Sequence, residues 1–243
     1  MDPLAAIRVG SLGLVTSARA AGVGAPVPSC PDWDVHELVL HSGTTQRWAK
    51  TLVSTGATGY VAADLGELPI ERDGIFDWFD EGTRLLLDVL ERTDPAAPVW
   101  SWGSDHHAGF WSRRMAHETA VHGWDAGTAA GAAAAIPVDV AVDGIDEQLD
   151  NVPFMLTFRP EIASLRGTGE TLHLHATDAD GEWLIRLTPE GIETTREHAK
   201  GDVAARGTAS DLMLFLVGRV GPEQLEVFGD RALLERWQAE FKF

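Results

Sequence analysis

Glu118 and His122 stand four residues apart in WSRRMAHETAVHGWDA, a segment that reads as helix from about His107 to Ala130. On a helix that spacing stacks both side chains on one face, one turn apart. A carboxylate oxygen and an imidazole nitrogen can then reach a common ion. The same pair is also what a solvated helix face carries. His41 adds a third donor: it lies one turn after Glu37 and Leu38, on the side of its helix expected to turn inward. If the two helices are neighbours, His41 meets the pair across the bundle. Two histidines and one carboxylate with an open fourth position form the donor set of a catalytic, rather than a structural, zinc site. Helical bundles build interior metal sites in this way, from side chains on facing helices.

The elements that must position these residues follow from local signals. Asp2-Pro3 caps a first helix from Leu4 to about Ala21. The loop VGAPVPSCPDW carries three prolines and cannot be helix interior. Asp34 with Glu37 three residues on is a capping box, opening a second helix to about Ser54. Ile75, Phe79, Leu86 and Val89 or Leu90 form one apolar stripe in a third helix, Arg72 to Arg92. Pro95 and Pro98 break the chain before the fourth. After Ile136-Pro137 a further helix is expected as a connector, and from Glu170 the period switches to two. TLHLHATD, EWLIRLTPE and GIETTREH are short strands separated by Asp-Ala-Asp-Gly and Pro-Glu-Gly turns. Two helices follow, Ser210 to about Val217 and Asp230 to about Phe241. The expected architecture is α+β: a four-helix bundle over 1–137, a connecting helix over 138–165, and a small α+β domain over 166–243.

Composition bounds the partners. With 243 residues, 44% hydrophobic and 23% charged, the chain has the profile of an ordinary globular protein. Its net charge of −18 repels phosphate backbones and anionic lipid, so neither nucleic acid nor a membrane is expected as partner. Cys30 is the single cysteine, which excludes an internal disulfide and a Cys-rich zinc module. It reads as a structural residue of the proline-rich turn. The N-terminal segment has no basic region or cleavage site of a signal peptide. No apolar run approaches the ~20 residues that span a bilayer. A cytoplasmic protein, monomer or homodimer, is expected.

VPSCPDWDVHELVLHSG, followed much later by RRMAHETAVHGWDA, resembles the N-terminal domain of the mycothiol-dependent maleylpyruvate isomerase family, within the DinB-like metal-binding four-helix bundles. LHLHATD…GEW, the turn Gly207 to Leu212, and LVGR…FGDRALLERW resemble that family's C-terminal domain. The resemblance implies a divalent metal, Zn2+ or another such as Ni2+, on His41, Glu118 and His122, with mycothiol as thiol cosubstrate at the open position. A thiol with pKa near 8.5 is mostly protonated at neutral pH, and coordination to zinc deprotonates it. Such a thiolate can add to an activated double bond, allow rotation and depart, or stay on the electrophile. The implied enzyme is a mycothiol-dependent isomerase or S-transferase acting on an electrophilic small molecule. A hydrolase using metal-bound water and a non-catalytic binding protein are the alternatives on the same bundle.

Around this centre, Asp125 either orients His122 or pairs with a surface base. Arg113 or Arg114 is a candidate to hold a carboxylate of substrate or cofactor. The family is thought to use an arginine from the C-terminal domain, and Arg219 and Arg231 are the candidates for catalysis, Arg219 also for cofactor binding. Trp100 and Trp102 are candidate pocket walls. His173 and His175 alternate on one strand and, with Thr171, read as the solvated face opposite Leu172 and Leu174.

Overall fold

The computed structural model describes residues 1–155 and 160–241, which divide into two compact units, Met1–Ala134 and Ala135–Phe243. The first unit holds α1 (Pro3–Ala21), α2 (Val35–Thr55), α3 (Ile75–Arg92) and α4 (Ala108–Ala129). Asp2 accepts hydrogen bonds from the amides of Leu4 and Ala5, and Pro3 takes the first helical position. The α2 capping box is complete: Asp34 accepts from the Glu37 amide at 3.1 Å, and Glu37 accepts from the Asp34 amide at 2.8 Å. Gly56, at φ 56°, ends the helix in the left-handed conformation that glycine adopts without a Cβ penalty. The third helix begins later than the expected Arg72, because Arg72–Gly74 forms a 3-10 turn in front of it.

Each helix packs against two principal neighbours: α1 on α4 and α3, and α2 on α3 and α4. The α2–α4 contact is the one that the candidate metal site requires. The interior is apolar, with Leu14, Leu38, Leu52, Phe79, Leu86 and Trp111 fully buried. Several polar groups inside it are paired across helices. The Gln46 side chain on α2 donates to Ser11 of α1 at 3.1 Å and accepts from Thr83 of α3 at 2.8 Å, joining three helices. Arg47 is buried with its guanidinium 3.6 Å from the Trp78 ring centroid, and it donates to the Trp78 carbonyl at 2.7 Å. Burial pulls this arginine below its ordinary pKa.

Glycines make that approach feasible. A Cβ on Gly43 would lie 2.3 Å from the Trp78 ring. A Cβ on Gly82 would lie 2.0 Å from an Arg47 guanidinium nitrogen.

The second unit contains α5 (Val138–Met155), β1 (Thr171–Ala176), β2 (Glu182–Leu187), β3 (Ile192–Thr195), β4 (Val203–Gly207), α6 (Ala209–Leu216), β5 (Glu226–Gly229) and α7 (Arg231–Glu240). Within the expected connector over 138–165, residues 156–159 lie outside the described residues; α5 packs on α6 and β3. The sheet order is β3-β2-β1-β4-β5, with β1 and β4 parallel and the other pairs antiparallel. Leu172, Leu174, Trp183, Ile185, Leu187, Val203 and Ala205 are buried on one face. The strands β4 and β5 have no counterpart in the sequence reading. Val203-Ala-Ala-Arg-Gly207 is poor in β-branched residues, and its place between two partners, rather than its propensity, makes it a strand. Among the described residues, no helix is long and apolar enough to cross a membrane.

Gly43→Ala is expected to destabilise the protein by about 1–3 kcal/mol, the usual cost of overpacking a filled core. Urea denaturation followed by tryptophan fluorescence measures it, and an unchanged midpoint would contradict the packing of Trp78 on α2.

Candidate metal centre

The site begins at the proline-rich loop before α2. The Val27 amide donates to the Trp33 carbonyl, the Cys30 amide to Val27, and the Trp33 amide to Cys30, closing Val27–Trp33 into a tight turn. This turn brings Ser29, Cys30 and Trp33 to the α2–α4 face. The Trp33 ring lies 4.9 Å from the His41 ring and 6.2 Å from the His122 ring, centroid to centroid, and forms a wall beside them.

His41 reaches from α2 to place Nε2 3.3 Å from Glu118 Oε1, while His122 Nε2 lies 3.1 Å from the same oxygen. The two imidazoles meet edge to face, 4.9 Å between centroids. One donor atom from each of His41, Glu118 and His122 lies within 4.8 Å of the other two. His122 is buried, whereas 41% of the His41 side chain is exposed, so one side of the cluster opens to solvent. Two imidazole nitrogens and a carboxylate oxygen directed at one point, with one open side, fit a divalent transition metal.

Three further contacts order the cluster. Arg114 donates to Glu118 Oε2 at 3.1 Å, which commits that oxygen and leaves Oε1 for the histidines. Asp125 is fully buried and accepts from His122 Nδ1 at 2.9 Å. Asp125 thus lies buried against His122, the geometry that an orienting role would need. An Nδ1–H held by a carboxylate leaves Nε2 as the ligating nitrogen and raises its basicity. Asp125 is itself held, by a hydrogen bond from Ser29 at 2.6 Å and by the Cys30 thiol at 3.8 Å. Cys30 therefore sits against a charged group and is more than an apolar filler.

Electrostatics follow from this sandwich. Burial alone would push the His122 imidazole down, but hydrogen bonds to Asp125 and Glu118 outweigh it and raise the pKa to about 9. Burial would likewise push Glu118 up, yet His122, His41 and Arg114 hold it well below the usual carboxylate range. A proton and a cation compete for His122 Nε2, and both are attracted by the same two carboxylates.

The remaining candidates lie elsewhere in the chain. Arg113 is half-buried on α4 beside Arg114. Arg219 follows α6 in the second unit, where its guanidinium donates to the Val217 carbonyl at 3.1 Å. Arg231 opens α7 and pairs with Glu235 at 3.0 Å. Trp100 packs on Trp48, Tyr60 and Trp111, and Trp102 on Phe110, so both are part of an aromatic cluster in the bundle core. Sequence reasoning did not anticipate Ser29 or the Arg114–Glu118 pair. The four-residue spacing of Arg114 and Glu118 was the available signal for the second; nothing local signalled the first.

Replacing Asp125 by Asn is expected to weaken metal binding about 10–100-fold, the usual cost of losing a carboxylate behind a histidine ligand. Competition with a chromophoric chelator reads the affinity; wild-type affinity in the variant would show that Asp125 does not support the site.

Comparison with known proteins agrees with this architecture. Two crystal structures, of mycothiol-dependent maleylpyruvate isomerase and of a histidine-to-alanine mutant of it, each superpose with a TM-score of 0.65 at 14% identity, covering 93% of this chain and 91% of theirs. No curated protein sequence matches. Residues 4–127 match the family described as the mycothiol maleylpyruvate isomerase N-terminal domain, and residues 139–236 match its MDMPI C-terminal domain. The chain belongs to the mycothiol maleylpyruvate isomerase family.

Proposed function

We propose that this protein is a cytoplasmic, metal-dependent enzyme that activates a low-molecular-weight thiol, mycothiol, for isomerisation of an electrophilic small molecule or S-transfer to it. The observation that carries this reading is the convergence of His41, Glu118 and His122 within 4.8 Å in a family named for a mycothiol-dependent reaction. These three side chains would hold the ion, Zn2+ or another divalent metal. When bound, it would supply the positive charge that lowers a thiol pKa below neutrality.

The chain's own residues have separable tasks. Asp125 fixes the tautomer and ring plane of His122, and Arg114 fixes the plane of the Glu118 carboxylate. The half-exposed His41 and the Trp33 wall form the entrance, where a thiol tail is sheltered on one side. Cys30 points at Asp125 and is not assigned as the nucleophile. Arg113 and Arg219 are proposed as cofactor-binding residues, and Arg219 and Arg231 as catalytic ones. The donor set serves isomerisation and S-transfer alike, because the fate of a thiol adduct depends on the electrophile.

His41→Ala, Glu118→Ala and His122→Ala should each lose bound metal and reduce thiol-dependent turnover about 100-fold or more, since even supporting residues of metal sites cost about 10–100-fold. The assay is consumption of maleylpyruvate with added mycothiol, run beside elemental analysis of the same preparations. Turnover that survives chelation in all three variants would overturn the proposal. Metal-dependent turnover with no thiol added would favour the hydrolase.

A further inference from the structure

A second group of metal-binding side chains lies in the second unit, on the sheet face opposite its apolar core. In the antiparallel pairing of β1 and β2, His175 stands across from Glu182, and His173 across from Leu184. Side chains two residues apart share a face of a strand, so His173, His175 and Glu182 project together. His198, three residues past β3, joins them from the segment that leads to β4. Its Nδ1 lies 2.6 Å from Glu182 Oε2, His173 Nε2 lies 2.9 Å away, and His175 Nδ1 3.3 Å away. Three imidazoles thus converge on a single carboxylate oxygen.

This corrects the reading of His173 as part of a solvated face. Its exposure is 6%, and the His198 ring from the segment before β4 lies 5.9 Å from it, centroid to centroid. The closeness is set by Gly201: a Cβ there would stand 3.0 Å from the His173 amide nitrogen and 3.1 Å from the Thr171 carbonyl oxygen. Despite its proximity to Glu182, His173 Nε2 makes no hydrogen bond of acceptable geometry among the described residues. A buried ring nitrogen aimed into a cluster without a hydrogen-bond partner is what a metal ligand looks like without its ion. The donor atoms of His173, Glu182 and His198 lie within 4.8 Å of one another.

We propose that His173, Glu182 and His198, with His175 beside them, bind a second divalent transition-metal ion. Imidazole-rich donors with one carboxylate suit zinc, copper or nickel and disfavour calcium and magnesium, which take oxygen ligands. Three protein donors lie within reach of one ion, His175 approaches only the Glu182 end of the group, and the fourth position would be open. The ion's effect is to fasten the segment before β4 onto β1 and β2. The overall charge of −18 adds a favourable field for a cation.

The test is zinc stoichiometry of the full chain, loaded with Zn2+, desalted on a gel column and measured by elemental analysis. His198→Ala is the main variant, since 82% of that side chain is exposed and its loss leaves the core intact; Glu182→Gln is the second. The proposal expects two zinc ions per wild-type chain, one in His198→Ala and in Glu182→Gln, and none when His41→Ala and His198→Ala are combined. Two ions in His41→Ala that fall to one on adding His198→Ala would sustain this site and count against the bundle site. No ion in the wild type after desalting, one ion that persists in His198→Ala, or two in His198→Ala, would overturn it and leave the four groups as an ion-pair network, whereas one ion lost in His198→Ala would sustain this site.

Discussion

The structure depends on placing two carboxylates, Glu118 and Asp125, on either side of one buried imidazole. Carboxylates cannot be taken out of water without compensation. Here His122 provides it to both, through Nε2 at 3.1 Å and Nδ1 at 2.9 Å. The polar groups around it divide between the two carboxylates. Arg114 and His41 share the charge of Glu118, Ser29 and Cys30 that of Asp125. A divalent cation is the natural guest of such a centre, because it satisfies acids and imidazoles together.

Much of this was legible in the sequence because it is written in local periodicity. The Asp34 capping box fixes where α2 begins, and with it the phase that turns His41 toward α4. The four-residue spacing of Glu118 and His122 fixes their common face. Asp125 was ambiguous for a physical reason: its three-residue spacing permits contact with His122 but says nothing of what covers it. The cover, Ser29 and Cys30, arrives from almost a hundred residues away, where |i−j| is 96 and 95.

The second unit was harder for the same reason. Alternation in Thr171-Leu-His-Leu-His-Ala176 assigns two faces correctly, but the rule that the polar face is solvated fails at His173. A segment that local patterning leaves without structure places His198 against it, and the strand it leads into, β4, has too few β-branched residues to be recognised. Strand partners gained through a crossover are invisible to any window of a few residues. The buried arginine at position 47 is a similar case. Its partners Trp78 and Gly82, and the Gly43 that makes room for the Trp78 ring, are legible as residues, yet their coincidence is a property of the packed α2–α3 pair.

The central claim is that α2 and α4 bring three side chains to one ion. Diffraction from crystals grown with Zn2+, with data collected above and below the zinc absorption edge, tests it directly. The account predicts an anomalous peak within bonding distance of His41 Nε2, Glu118 and His122 Nε2. An anomalous map with no peak among those three side chains, or with His41 turned out of reach of a zinc seated on Glu118 and His122, would contradict it.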